Sequence, residues 1–417
     1  MKFVINGGKK LSGSIPVSGM KNAATPIIAA ALLTDEECII HNVPHIRDVE
    51  VMLSILESMG SRVAWTGEHD VTICTAGARA DTIDEKTMKR LRSSILFMGP
   101  FLSRFEHASI AEPGGCIIGN RPLHTHFHAL EKLGATISRT NGHYEISRTN
   151  LQGTRVVLLE ASVTATENAL MAACMATGTT TIINAAYEPH VADLANFLCA
   201  MGARIDGIGT STLTIEGVHA LHGTEYTIIP DTIEAGTFLI LGLATKSEIT
   251  VQHARSDHMD LVLEWLYQIG ARFDRQDDSI TLRLSSDLRA AHLEFYTYPR
   301  LPSDLQSIFG VLATQLRGTT LIHEKMFEGR LGYIQELIKM GANAVICDPH
   351  RVLITGPTPL YGQEIRTYDL RAGAAMIVAG LLASGQTIIH DVDIVDRGYE
   401  SLETRLAGLG ADITRVA

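Results

Sequence analysis

A chain of 417 residues, 46% hydrophobic, 19% charged and 6% aromatic, has ordinary globular composition and length for two or three domains. That excludes disordered, collagen-like and membrane-spanning classes. A formal charge of −11 excludes broad electrostatic capture of nucleic acid but leaves room for a local basic pocket holding an acidic substrate.

Taken from the start, Met1 to Gly8 lacks the long apolar core of a signal peptide, so no export is expected. Lys2-Phe3-Val4-Ile5 reads as a strand. Gly7-Gly8-Lys9-Lys10 lacks the Gly-Lys-Ser/Thr ending of a phosphate loop and reads as a turn. Further on, a helix-ending phrase recurs six times, closing on Gly60, Gly134, Gly202, Gly270, Gly341 and Gly410, at spacings of 68 to 74 residues. Each of these glycines stands where a helix requires a left-handed C-terminal residue.

Within a unit the order also repeats: a small-residue apolar helix (165–176), a Thr/Ile strand (179–183), a second helix ending at the glycine, then two strands around a turn. The units read βαβαββ, and six of them suit an α/β protein of two domains with three units each. The last unit ends at 412–417, short of its final strands, while residues 2–5 begin as an unpartnered strand. The N-terminus is therefore expected to complete the C-terminal domain, giving domains of 21–229 and of 1–20 plus 230–417, with two crossings that suit a hinge. The run 374–383 is too short for a membrane span.

Fourteen residues before the six Thr/Ile segments stand Lys21, Arg92, Thr164, Thr232, Asp304 and Arg371. All are expected in the first turn of a helix, where free N–H groups and the helix dipole favour an anion. Charges there can equally be solvated caps. Cys38, Cys74, Cys116, Cys174, Cys199 and Cys347 form no Cys-x-x-Cys pair, which suits neither zinc nor a disulfide framework and points to a reducing, cytoplasmic setting. Cys116 differs from the other five: it lies in the glycine-rich loop 112–122 ahead of Arg121, where loop amides and a guanidinium can activate a thiol or hold an anion beside it. His124, His126 and His128 have no Cys or carboxylate nearby in sequence to complete a metal site; His126 is a ligand-contact candidate and no metal is expected.

Ser18-Gly19-Met20-Lys21-Asn22-Ala23, the loop from Pro113 to Pro122, Pro302-Ser303-Asp304-Leu305-Gln306, Asp369-Leu370-Arg371 and Asp396-Arg397-Gly398-Tyr399-Glu400 resemble, end to end and in matching order, the enolpyruvyl transferases that act on UDP-N-acetylglucosamine. The resemblance implies two inside-out α/β barrels, helices within and sheets without, around an interdomain active-site cleft. It further implies transfer of enolpyruvate from phosphoenolpyruvate to the sugar 3-hydroxyl with release of phosphate, the first committed step of peptidoglycan synthesis. By motif match Cys116 is the proton donor and Asp304 the base. Lys21, Asn22, Arg121 and Arg397 meet phosphoenolpyruvate. Arg92, Arg121, Pro122, Leu123, Ser162, Val163, Asp304 and Met326 meet the nucleotide sugar, and Arg330 and Arg371 are supporting cations. Thr164 replaces the glycine usual after Ser-Val, while Leu301, Ser303 and Gly329 also depart from the family pattern, which bears on acceptor fit. No cofactor, nucleic acid or membrane partner is expected, and the chain is expected to be a monomer. Two alternatives remain: a sister enolpyruvyl transferase with another acceptor, and a non-catalytic paralogue that binds the nucleotide sugar.

Overall fold

The computed structural model describes residues 1–114 and 118–417. Cys116 lies outside the described residues. The described chain gathers into two compact units, one of residues 1–18, 118–120 and 230–417, the other of 19–114 and 121–229.

In the first unit, Lys2–Asn6 lies between Gln386–His390 and Asp412–Val416 and is antiparallel to both, with Lys2 opposite His390 on one side and Val416 on the other. Glu364–Arg366 joins that sheet parallel to Gln386–His390. A second sheet runs Arg272–Arg275, Ser279–Arg283, Glu248–Gln252, Ser12–Pro16, and a third Leu301–Pro302, His292–Tyr296, Gly318–Glu324, Arg351–Gly356, Asn343–Asp348. The other unit also holds three sheets among its described residues, built on Glu37–His41, His143–Arg148 and Thr179–Ile183.

Strands Glu37–His41, Thr179–Ile183, Glu248–Gln252 and Gln386–His390 alternate one buried residue with one more exposed residue. Such alternation leaves each sheet one dry and one wetter face. The helices differ. In Leu370–Leu382 every residue from Leu370 to Leu381 is buried, and Thr232–Ala244 is buried from Ile233 onward. A helix without a polar face is enclosed on all sides, and the Ala and Gly content of these two lets neighbours approach closely. Gly242, for example, lies so near Leu282 and Ile249 that a Cβ would meet their side chains at 2.6 and 3.0 Å.

Gly60, Gly134, Gly202, Gly270, Gly341 and Gly410, each closing a helix, have φ of 96°, 103°, 102°, 106°, 105° and 97°. The left-handed conformation required of them by the sequence phrase is present at all six. The positions found by counting back also fall at helix starts. Lys21 opens Lys21–Ala30, Arg92 opens the 3₁₀ turn Arg92–Phe97, and Thr232 opens Thr232–Ala244. Thr164, Asp304 and Arg371 are second residues of Val163–Ala173, of the 3₁₀ turn Ser303–Leu305 and of Leu370–Leu382.

Candidate active site

In the first unit the carboxylate of Asp304 is held from two sides. Arg330 Nη2 donates to Oδ1 at 2.8 Å, and Arg371 donates to Oδ2 through Nε at 3.2 Å with Nη2 at 3.1 Å. The side chains of Arg330 and Arg371 are only 4% and 3% exposed, whereas that of Asp304 is 28% exposed, so the anion alone meets solvent. Each guanidinium also lies 5.3 Å from an aromatic centroid, Arg330 over Phe327 and Arg371 over Tyr399. Burial works against the charge on Arg330, but the carboxylates of Asp304, Asp369 and Glu324 outweigh it and keep the group protonated. Arg371 Nη1 is buried and has no hydrogen-bond partner among the described residues.

Asp304 is not the cap of its helix. The caps in this unit are Asp231, accepting the N–H groups of Ile233 and Glu234 at 2.8 and 3.1 Å, and Asp369, accepting those of Arg371 and Ala372 at 2.8 and 3.0 Å. An aspartate directly before a long apolar run is a start signal that would have marked both from sequence. Arg397 ends the 3₁₀ turn Val392–Arg397 and is half-buried, as is Met326. Of the loop after Cys116, Ile118 accepts the Gly329 N–H at 2.9 Å and the Asn120 N–H donates to Glu328 at 2.8 Å.

In the other unit Lys21 Nζ stands 3.2 Å from Asp48, whose side chain is 3% exposed. Asp48 had no sequence signal of its own, because the pairing is between separate helices. Asn22 is half-buried beside Lys21. The Arg92 guanidinium donates to the Arg121 carbonyl. Burial, and then the charge of Arg121, pull Arg92 down to about 10, so Arg92 stays cationic at neutral pH despite the repulsion. An anion received between such groups relieves that repulsion. Pro122 is exposed and Leu123 buried, leading into His124–Lys132. Ser162 precedes Val163–Ala173 without a side-chain cap bond, and Ser162 and Val163 are both half-buried.

His126 is 3% exposed, and its Nε2 lies 2.8 Å from Thr164 Oγ1. The hydroxyl that Thr164 brings in place of glycine is thus engaged by an imidazole. Burial first, then Arg92 and His124, pull His126 down to about 3. In the unfolded chain it protonates near 6.5, so its contribution to stability is present above that pH and is lost as pH falls from 6.5 toward 3. Wild type should therefore lose about 2 kcal/mol more than His126→Asn between pH 7 and 5, measured by urea unfolding. Equal losses would show that the histidine is not buried neutral.

Among the described residues the group with metal-type donors within 4.8 Å is not the 124–128 histidines but His292, Glu294 and His323. Lys325 Nζ, 2.7 Å from Glu294, already neutralises that carboxylate.

The family model for EPSP synthase (3-phosphoshikimate 1-carboxyvinyltransferase) matches residues 5–406. The UDP-N-acetylglucosamine 1-carboxyvinyltransferase of Koribacter versatilis is 42% identical over 418 residues, covering 100% of this chain and 96% of that protein. Its namesake from Bradyrhizobium diazoefficiens is 43% identical over 424 residues, with 100% and 98% covered. Among solved structures, the enolpyruvyl transferase NikO from Streptomyces tendae matches with a TM-score of 0.91 at 25% identity, covering 100% of this chain and 98% of that one. EPSP synthase from Acinetobacter baumannii matches with a TM-score of 0.76 at 20% identity over 99% of this chain and 100% of that one, a likeness of fold alone. With its mixed α/β fold, its end-to-end identity and its paired cations, the chain belongs to the enolpyruvyl transferase family, among the relatives named UDP-N-acetylglucosamine 1-carboxyvinyltransferase.

Proposed function

We propose that this protein transfers the enolpyruvyl group of phosphoenolpyruvate to the 3-hydroxyl of UDP-N-acetylglucosamine, releasing phosphate, in peptidoglycan synthesis. Protonation of the phosphoenolpyruvate methylene carbon makes the adjacent carbon electrophilic, and the sugar hydroxyl adds there as its proton passes to a base. The methyl group of the adduct then gives up a proton as the C–O bond to phosphate breaks. The reaction needs an acid, a base and fixed cations for phosphate and carboxylate, and no cofactor.

Cys116 is the acid and Asp304 the base in this reading. Lys21, Asn22, Arg121 and Arg397 hold phosphoenolpyruvate. Arg92, Arg121, Pro122, Leu123, Ser162, Val163 and Met326 receive the nucleotide sugar, and Arg330 and Arg371 hold Asp304. The observation that carries it is the Asp304 carboxylate, more exposed than the two buried arginines that fix it, in a chain alike over its whole length to proteins bearing that name. The two units are read as two domains of three repeat units, each an inside-out barrel. Support for this comes, in the first unit, from the buried runs 233–244 and 370–381 of its two apolar helices beside strands with a wetter face. A cytoplasmic location is consistent with free thiols at Cys38, Cys74, Cys174, Cys199 and Cys347.

Phosphate release in the presence of both substrates tests the reading. Turnover is expected with UDP-N-acetylglucosamine and not with shikimate 3-phosphate as acceptor. Turnover with shikimate 3-phosphate alone would make it a sister transferase, and nucleotide-sugar binding without phosphate release would make it a non-catalytic paralogue.

A further inference from the structure

Behind Asp304 sits a polar network that none of the roles above uses. Glu324, the last residue of Gly318–Glu324, is 0% exposed, yet it carries a carboxylate into the interior. Among the described residues its carboxylate takes part in hydrogen bonds only as an acceptor. Oε2 takes the Ser303 hydroxyl at 2.7 Å, and Oε1 takes the N–H groups of Met326 and Phe327 at 2.9 and 3.2 Å. Ser303 Oγ, having given its proton to Glu324, accepts from Arg330 Nε at 3.3 Å. Arg330 in turn donates to Asp304. Arg330 thus donates to both sides, directly to Asp304 and, by way of the Ser303 hydroxyl, towards Glu324.

A buried carboxylate is costly, and burial does push Glu324 up, opposed by Ser303, the two backbone N–H groups and Arg330. An interior side chain that merely filled space would be apolar. What the charge provides here is acceptors at both oxygens, fixing two things at once: the rotamer of Arg330 through Ser303, and the backbone that carries Met326.

We infer that Glu324 is a positioning residue that orients Arg330, and through it the carboxylate of Asp304, by way of the Ser303 hydroxyl. The inference rests on Asp304 being the base. Neighbouring groups do not supply a substitute. Tyr333 Oη accepts from Gln306 Nε2 at 2.9 Å, and His350 Nδ1 reaches only the Glu324 carbonyl, at 2.7 Å. Asp369 lies 3.8 Å from Arg330 Nη1, not at the Nε that Ser303 engages.

Glutamine tests the acceptor requirement, because it has one acceptor oxygen and one donor nitrogen. If its oxygen keeps the Met326 and Phe327 N–H groups, its NH₂ faces Ser303 and forces that hydroxyl to turn round, loosening Arg330. Glu324→Gln is therefore expected to lower kcat on the order of 10- to 100-fold, as small misplacements of reacting groups do, with the KM for phosphoenolpyruvate changed less than threefold. Ser303→Ala should lower kcat in the same sense, and Ser303→Thr, which restores the hydroxyl, should recover most of it. The serine pair decides the matter if Glu324→Gln fails to fold. Unchanged kcat in Ser303→Ala, or an equal loss in Ser303→Ala and Ser303→Thr, would overturn the inference. Asp304→Asn in the same assay separates the two claims. If it is slow while Ser303→Ala is normal, the base stands and the network does not; if it is fast, the base assignment itself has failed.

Discussion

Replacing Asp304 by Asn is expected to lower kcat by about 100- to 10,000-fold, the usual contribution of a general base, while nucleotide-sugar affinity changes far less. Asparagine keeps the size and one acceptor but takes no proton from the attacking hydroxyl. The surroundings add a second effect. Arg330 and Arg371 are nearly inaccessible to solvent, and the substitution removes a counter-ion that both share. Arg330 keeps Asp369 at 3.8 Å, while Arg371 keeps the Tyr399 ring. Breaking a buried pair from one side costs about 3–5 kcal/mol, and the partial exposure of Asp304 places the variant toward the lower end of that range or below it. Unfolding should therefore be measured beside kinetics. A folded variant with near-normal kcat would leave Asp304 as an anchor for two arginines and send the search for the base elsewhere.

Cys116→Ser is expected to lose activity on the order of 100-fold or more, as removal of a general acid does, whereas Cys116→Asp retains turnover by supplying another acid. An alkylating epoxide mimic of phosphoenolpyruvate such as fosfomycin should stop turnover by modifying Cys116, faster with UDP-N-acetylglucosamine present. The other thiols set the stringency of that test. Cys38 is buried and pushed up to about 11 by that burial, and Cys174 is buried as well. Cys347 is exposed, and Cys74, though buried, is held below the usual thiol range by Arg62, whose Nη2 lies 3.5 Å from its sulfur. Peptide mapping must therefore resolve Cys116 from Cys74 and Cys347. Inactivation that tracks either of those two would remove Cys116 from the proposed mechanism.

Features legible in the sequence are those that a few neighbouring residues determine. Gly60 and its five counterparts were readable because a left-handed residue after a helix has one inexpensive solution. Lys21, Arg92, Asp304 and Arg371 could be assigned to helix starts because the repeat fixes their distance from the next strand. Their partners could not be assigned. Asp48 opposite Lys21, and Glu324 behind Ser303, come from other elements, and a helical or strand period carries no information about which elements pack together. Thr164 shows the same limit on a smaller scale. As a departure from the family pattern it bears on acceptor fit, but that its hydroxyl meets His126 depends on the packing of two helices. Nor could the sequence tell that His126, a ligand-contact candidate, is only 3% exposed.

The strand Lys2–Asn6 has a consequence for how the protein is made. It occupies the middle of its sheet, flanked by Gln386–His390 and Asp412–Val416. This strand therefore has no place to pair until residues 386–390 have been synthesised, and its second neighbour follows only with residues 412–416. Phe3 and Ile5, 0% exposed in the finished sheet, cannot reach that burial before those strands exist. Residues 19–114 and 121–229 need no strand from beyond residue 229 for their own sheets, so they can fold while synthesis continues. Order of synthesis and order of folding are thus opposed at this strand and, over a shorter span, at Ser12–Pro16, which pairs with Glu248–Gln252.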